Sequence, residues 1–183
     1  MSAIHEHVLQ NGMTLLCWPQ RHLHGLEFGL YLKGGPLYET EETQGISNLL
    51  EHLCFRGLGG LNREGLLREL NRFGTNLDAA TYAEGLVFRL KCLPRFFDAA
   101  LEYFLRFFAN VPWTPEQIAA EKQVVLRQLE ADGDGDLFDR AACDFRKTEN
   151  GAFPPLGTPE SLMALTEADI QLWQEMIFQP QNA

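Results

Sequence analysis

Asn48, Glu51 and His52, in the run SNLLEH, are the side chains in this chain best placed to do chemistry. On a helix, positions 48 and 52 lie one turn apart on one face, and position 51 sits beside both. Two ligands one turn apart can hold a metal ion while a neighbouring carboxylate takes a proton from metal-bound water, and metal-dependent hydrolysis needs that arrangement. A His at position 48 would complete a His-x-x-Glu-His pattern; Asn stands there instead. The match is partial, because a Glu-His pair on a helix is common by itself.

Other groupings carry less. Asp132, Asp134 and Asp136 have the spacing of a calcium loop, but Leu137 and Cys143 occupy the positions where Gly and Glu are needed. That stretch reads as a solvated acidic loop. His5/His7 and His22/His24 are i, i+2 pairs with no further ligand type arranged around them, and read as surface histidines. There is no Gly-x-Ser-x-Gly, P-loop or Gly-x-Gly-x-x-Gly run, so nucleophilic and nucleotide chemistry lack support. Cys17, Cys54, Cys92 and Cys143 are scattered in apolar settings, which suits buried free thiols in a reducing compartment.

The elements that must position the Asn48 cluster follow from hydrophobic periodicity. Residues 5–20 alternate around Asn11-Gly12, a two-residue turn signal, and read as a β-hairpin. A strand follows over 25–35, then a helix over 39–57 with acids before its first turn, where the macrodipole favours them. A second helix runs from the Asn62 N-cap to a stop at Gly74. Residues 75–94 alternate as one or two strands, and 94–110 form a strongly apolar helix. Thr114, Pro115 and Gln117 open the next helix with a capping box. After the acidic loop come a short helix and a Pro/Gly turn, and Thr158 and Thr166 are further N-caps. The pattern is α+β, a mainly antiparallel sheet covered by helices, with about four strands and six helices expected.

The chain has 183 residues, 45% hydrophobic and 22% charged, and reads as one domain. Its net charge of -10 and pI near 4.9 argue against nucleic acid or an anionic membrane as partner, and favour basic peptides if anything. The first residues lack the basic-then-apolar order of a signal peptide, and no apolar run approaches about 18 residues. A cytoplasmic location is the expectation.

The order of these features resembles the pitrilysin/insulinase family of zinc metallopeptidases, the inverted zincins that include the mitochondrial processing peptidases. VLQNGMTLL resembles the family's opening hairpin, and GLYLKGGPLYETEETQGISNLLEHLCFRG its second strand and zinc helix. FGTNLDAATYAEGLVF resembles the strand that pairs with substrate backbone, TPEQIAAEKQVVLRQLEAD the helix of the third ligand, and AFPPLGTPESLMALTEADIQLWQEMIFQPQN the close of the domain.

The resemblance implies roles residue by residue. Position 48 should be a His ligand and is Asn; Glu51 stands at the catalytic base; His52 stands at the second ligand. Glu121 matches a supporting Glu, and seven positions on, where the third ligand should be Glu, stands Gln128. Asp78, Ala79, Ala80 and Thr81 match the substrate strand, with Asp78 in place of the usual Asn. If a full zinc site contributes about 10 kcal/mol, each strong ligand supplies about 3, so losing two weakens binding by roughly four orders of magnitude. Glu130 is no rescue, since an offset of two turns it to another helix face.

Two readings of the amides stay open: the helices are plain core with polar remnants, or the cleft persists for another task. On the second, the resemblance implies a zinc-free, non-catalytic half that binds peptide and forms a heterodimer with, or is fused to, an active homologous half. No cofactor is then expected. An active zinc metalloendopeptidase with an atypical site, its metal held by His52, Glu121 and water, is one alternative; a purely structural core subunit is another. The family's domain also continues into a further strand, so a fragment or a partner-completed domain is expected over 1–183.

Overall fold

The chain opens as the expected hairpin, β1 (His5–Val8) against β2 (Thr14–Cys17), with Val8 opposite Thr14. The computed structural model describes residues 3–58, 60–75, 77–109, 112–132 and 153–183. The hairpin's connection is longer than the two-residue signal suggests. Leu9 N–H donates to the Met13 carbonyl at 2.8 Å, and Gly12 N–H donates to the Leu9 carbonyl at 2.9 Å. Gly12, at φ 88°, takes the left-handed position that ends a three-residue loop. Both strands are exposed throughout, and Cys17 with them. The expectation of buried thiols therefore fails at Cys17, whose strand is exposed along its whole length; Cys54 and Cys92 are buried.

The main sheet is antiparallel. After β3 (Leu26–Lys33) come the two-residue pair β4 (Gly57–Leu58) and β5 (Leu61–Asn62), then β6 (Leu77–Tyr82) and β7 (Gly85–Cys92), and the sheet order is β3-β7-β6. Register puts Leu30 opposite Phe88 and Leu32 opposite Leu86, so the buried set of both strands shares one face. The described residues thus hold seven strands instead of about four, since β1, β2, β4 and β5 pair outside this sheet.

Helix α1 (Ile46–Cys54) packs on that face, burying Ile46, Leu49, Leu50 and Leu53 completely. Each such side chain contributes about 1.5–3 kcal/mol of transfer free energy. The helix is shorter than 39–57. Residues 41–45 form turns, and the buried Glu39 carboxylate caps the helix by accepting from Gly45 N–H (2.8 Å) and Ser47 N–H (3.0 Å). Gly45, at φ 84°, abuts Gly157; a Cβ on Gly45 would lie 2.6 Å from the Leu156 carbonyl oxygen, and one on Gly157 would lie 2.5 Å from that of Gln44. The start of α1 is therefore set by a distant segment.

Helix α2 (Arg63–Phe73) begins where Asn62 accepts from Gly65 N–H and stops at Gly74. The apolar helix expected over 94–110 is α3 (Phe97–Leu105) between two single 3-10 turns, at Pro94–Phe96 and Arg106–Phe108. Phe107 leaves the second turn to stack against Phe88, centroids 4.4 Å apart. Helix α4 (Pro115–Asp132) carries the expected capping box, with Thr114 and Gln117 exchanging hydrogen bonds. Capping boxes at Thr158 and Thr166 open α5 (Pro159–Ala164) and α6 (Glu167–Ile177). α4 and α6 pack against α1, and the Trp173 indole N–H donates to Ser47 at 3.1 Å. Asp132, expected in the acidic loop, is the last residue of α4; the rest of that loop, its short helix and Cys143 lie outside the described residues. Among those described, no helix is long and apolar enough to cross a membrane.

Candidate functional site

Sheet register brings the first pair of site residues together. Thr81 lies opposite Leu86 and so points, like Leu86, toward α1. There its hydroxyl donates to Oε2 of Glu51. Glu51 is buried at 9% exposure, and burial pushes its carboxyl above the usual glutamate range. The Thr81 hydrogen bond and His52 pull the other way without overcoming it, and the charge of Asp78 adds to the rise. Ala79 shares the inward face, whereas Asp78 and Ala80 alternate to the other side, Asp78 opposite Arg89. The four expected strand residues are therefore split between two faces. Their strand, β6, pairs with β7 on one side, and among the described residues its other edge is unpaired.

The second grouping joins α1 to α4. Nδ1 of His52 lies 3.1 Å from Oε1 of Glu121, and Arg56 donates from Nε to Oε2 of the same carboxylate. Burial alone would raise the Glu121 carboxyl, but hydrogen bonds from His52 and Arg56, together with their charge, hold it below the usual range. Glu121 is thus ionised, and the Nδ1–H of His52 is the donor. This fixes the ring and leaves Nε2 to face away from Glu121, the orientation a metal-binding histidine receives from its outer carboxylate. Arg56 escaped the sequence reading, although its i+4 spacing from His52 is a signal that could have found it.

The remaining positions are amides. Oδ1 of Asn48 is buried and accepts no hydrogen bond among the described residues. The fully buried positions of α4 end at Val125, and Gln128 is exposed beyond it. Zinc is held by Cys, His and carboxylate side chains. One imidazole and two neutral amides, with one of the amides in solvent, do not fit that requirement. Among the described residues no three His, Cys, Asp or Glu side chains converge as a metal-binding group. A groove of about 1150 Å³ lined by Trp18, Leu23, Arg72, Lys91 and Phe96 lies apart from all of these residues.

Comparison with known proteins agrees with this architecture. The family model described as Insulinase (Peptidase family M16) matches residues 24–143, more than half of the chain. An uncharacterized zinc protease of Rickettsia felis is 28% identical over 162 residues, 87% of this chain and 39% of that protein. The mitochondrial-processing peptidase subunit beta of Caenorhabditis elegans is 27% identical over 146 residues, 78% of this chain and 32% of that one. A protease from Helicobacter pylori shares the fold at TM-score 0.89 and 22% identity, over 99% of this chain and 45% of that chain. A peptidase M16 inactive domain from Pseudomonas fluorescens does so at TM-score 0.82 and 17% identity, over 94% and 43%. The chain spans less than half the length of each of these proteins. With the match to the family model covering the helix of Glu51 and His52 as well as that of Glu121, the chain belongs to the insulinase family, peptidase family M16.

Proposed function

We infer that this chain is a non-catalytic, zinc-free half of a two-part peptidase, which binds peptide and pairs with a homologous half bearing an intact zinc site. The observation that carries the reading is the contrast within one site. The supporting contacts, Glu121 with His52 and Thr81 with Glu51, are built, while Asn48 and Gln128 stand where strong ligands are needed. Without a metal to activate water, Glu51 has no proton to take, and its buried, hydrogen-bonded carboxylate serves to hold β6 against α1. The edge of β6 that is unpaired among the described residues suits an extended peptide, because strand addition uses main-chain groups whatever the side chains are. The Pseudomonas fluorescens relative in fold is described as an inactive domain, and the Caenorhabditis elegans relative as one subunit of a peptidase, both in keeping with a half that works beside another.

The test is reconstitution with a homologous subunit that carries an intact His-x-x-Glu-His. A stable complex whose peptide hydrolysis survives Glu51→Gln in this chain is expected. Hydrolysis by this chain alone, abolished by Glu51→Gln, would establish the second reading, an active zinc metalloendopeptidase. That reading draws on one observation, the hydrogen bond from His52 to Glu121 that orients Nε2 as a ligand.

A further inference from the structure

We propose that the groove between β2 and β3 receives an extended, acidic segment of a partner protein, which lies along the two strands and sets a carboxylate on Arg95. β2 is bonded to β1 and β3 to β7, and no strand pairs their other edges among the described residues. At one end of the gap, residues 182–183 bridge them. Thr14 N–H donates to the Ala183 carbonyl at 3.1 Å, and the Asn182 side chain donates to the Lys33 carbonyl at 2.6 Å. The gap there is one chain segment wide. At its other end opens the groove of about 1150 Å³, lined by Leu16 and Trp18 on one side and by Leu26 and Glu27 of β3 on the other.

Apolar surface and charge narrow the occupant. Leu16, Trp18, Leu23 and Leu93 line the groove and are exposed, an apolar surface of the kind that marks an interaction site. The chain carries 25 acidic against 15 basic side chains, yet Arg72, Lys91 and Arg95 line the groove against Glu27 alone. Arg72 pairs with Glu69 at 3.0 Å and Lys91 with Glu27 at 3.6 Å, on the surface, where such pairs contribute little. Arg95 enters no ion pair among the described residues. Its guanidinium lies over the Phe96 ring, 4.8 Å from the centroid, which leaves its N–H groups for a carboxylate. A small anion would leave Trp18 and the leucines in water, and an acyl chain has no main-chain groups for the two strand edges. Nucleic acid is repelled by the net charge of -10. An acidic peptide segment meets all of these surfaces. The groove shares no residue with Thr81 and Glu51, so occupancy here is independent of peptide at β6.

The experiment titrates the purified chain with capped peptides of about eight residues, a strand's length, free of tryptophan and alternating valine with threonine. One form carries a pair of glutamates at one end, a second carries glutamines there, and a third lysines. Binding is read from the emission of Trp18, which is 63% exposed, whereas Trp113 and Trp173 are 6% and 7% exposed. The acidic peptide should shift that emission to the blue and bind at least about tenfold more tightly than the glutamine form, the worth of a charge-assisted hydrogen bond. The lysine form should bind weakest. In Arg95→Gln, at an exposed position, the ratio between the acidic and glutamine forms should collapse toward one. Equal binding of these two forms by the unaltered chain, or a ratio unchanged in Arg95→Gln, overturns the acidic occupant. Binding of no form overturns the site. Oleate that shifts the emission where no peptide does puts a lipid amphiphile in the groove and overturns it too. So does a chain that sediments alone as a dimer and becomes monomeric in Trp18→Ser, because the occupant is then a second copy.

Discussion

His52 and Glu121, 69 residues apart in sequence, meet between α1 and α4, with Nδ1 3.1 Å from Oε1. Arg56 takes the second oxygen, so one buried carboxylate fixes two side chains of α1. The contact orients a histidine as a metal site would, yet the neighbouring amides supply no strong ligand. The following expectations come from that combination.

Glu121→Gln should cost about 1–3 kcal/mol at neutral pH, because Arg56 loses its charged acceptor and His52 its anchor. The Glu121 carboxyl is held below the ordinary value of 4.5, so its contribution is fully present above that value. On acidification the unfolded chain takes up the proton first, and the contribution is lost as pH falls through the folded value. Urea unfolding should show the two proteins converging in acid.

Glu51 behaves in the opposite sense. Its folded carboxyl lies above the ordinary 4.5, so within that window the folded chain keeps a proton the unfolded chain has released. Stability from this group falls as pH rises through the window. Glu51→Gln removes that slope, and its stability relative to the unaltered chain should rise with pH. Thr81→Val leaves the carboxylate oxygen without its donor, and should cost about 1.5–3 kcal/mol when Glu51 is ionised.

Gly157→Ala should be costlier than Gly74→Ala. Both glycines have positive φ, 69° and 64°, but a Cβ at Gly74 meets open space while one at Gly157 meets the Gln44 carbonyl. The conformational cost alone is about 1–2 kcal/mol. Gly157→Ala should exceed it, because it forces the start of α1 away from the residue 153–157 segment. Thermal unfolding of the two variants side by side measures the difference.

The double variant Asn48→His with Gln128→Glu should gain zinc. It restores two imidazoles and a carboxylate around a histidine already oriented by Glu121. Equilibrium dialysis should give about one zinc per chain, and each single change much less, since each strong ligand is worth roughly a hundredfold.

Locally encoded features were legible in the sequence. The caps at Asn62, Thr114, Thr158 and Thr166 satisfy orphan N–H groups within three residues, so their signal sits beside the helix it starts. The alternation of β3 and β7 also announced itself, because both bury one face. Features made by distant segments did not show. The beginning of α1 depends on Glu39 reaching forward and on Gly157 closing against Gly45, neither visible as helical periodicity. Arg56 was missed because its acceptor lies 65 residues on. Cys17 looked buried because its strand is apolar, whereas the hairpin stands clear of the core. For the candidate site, residue types and spacing named Glu51 and His52 and the family resemblance named Glu121, but the inward turn of Thr81 and the unmet oxygen of Asn48 required the packed sheet and helix.

The central claim is that this site holds no catalytic zinc, and metal content tests it most directly. The chain is purified, dialysed against a zinc buffer and then against buffer alone, and measured by inductively coupled plasma mass spectrometry. The expected result is zinc far below one per chain, with no gain in thermal stability on adding zinc. One zinc per chain that survives dialysis, together with peptide hydrolysis abolished by Glu51→Gln, would contradict it.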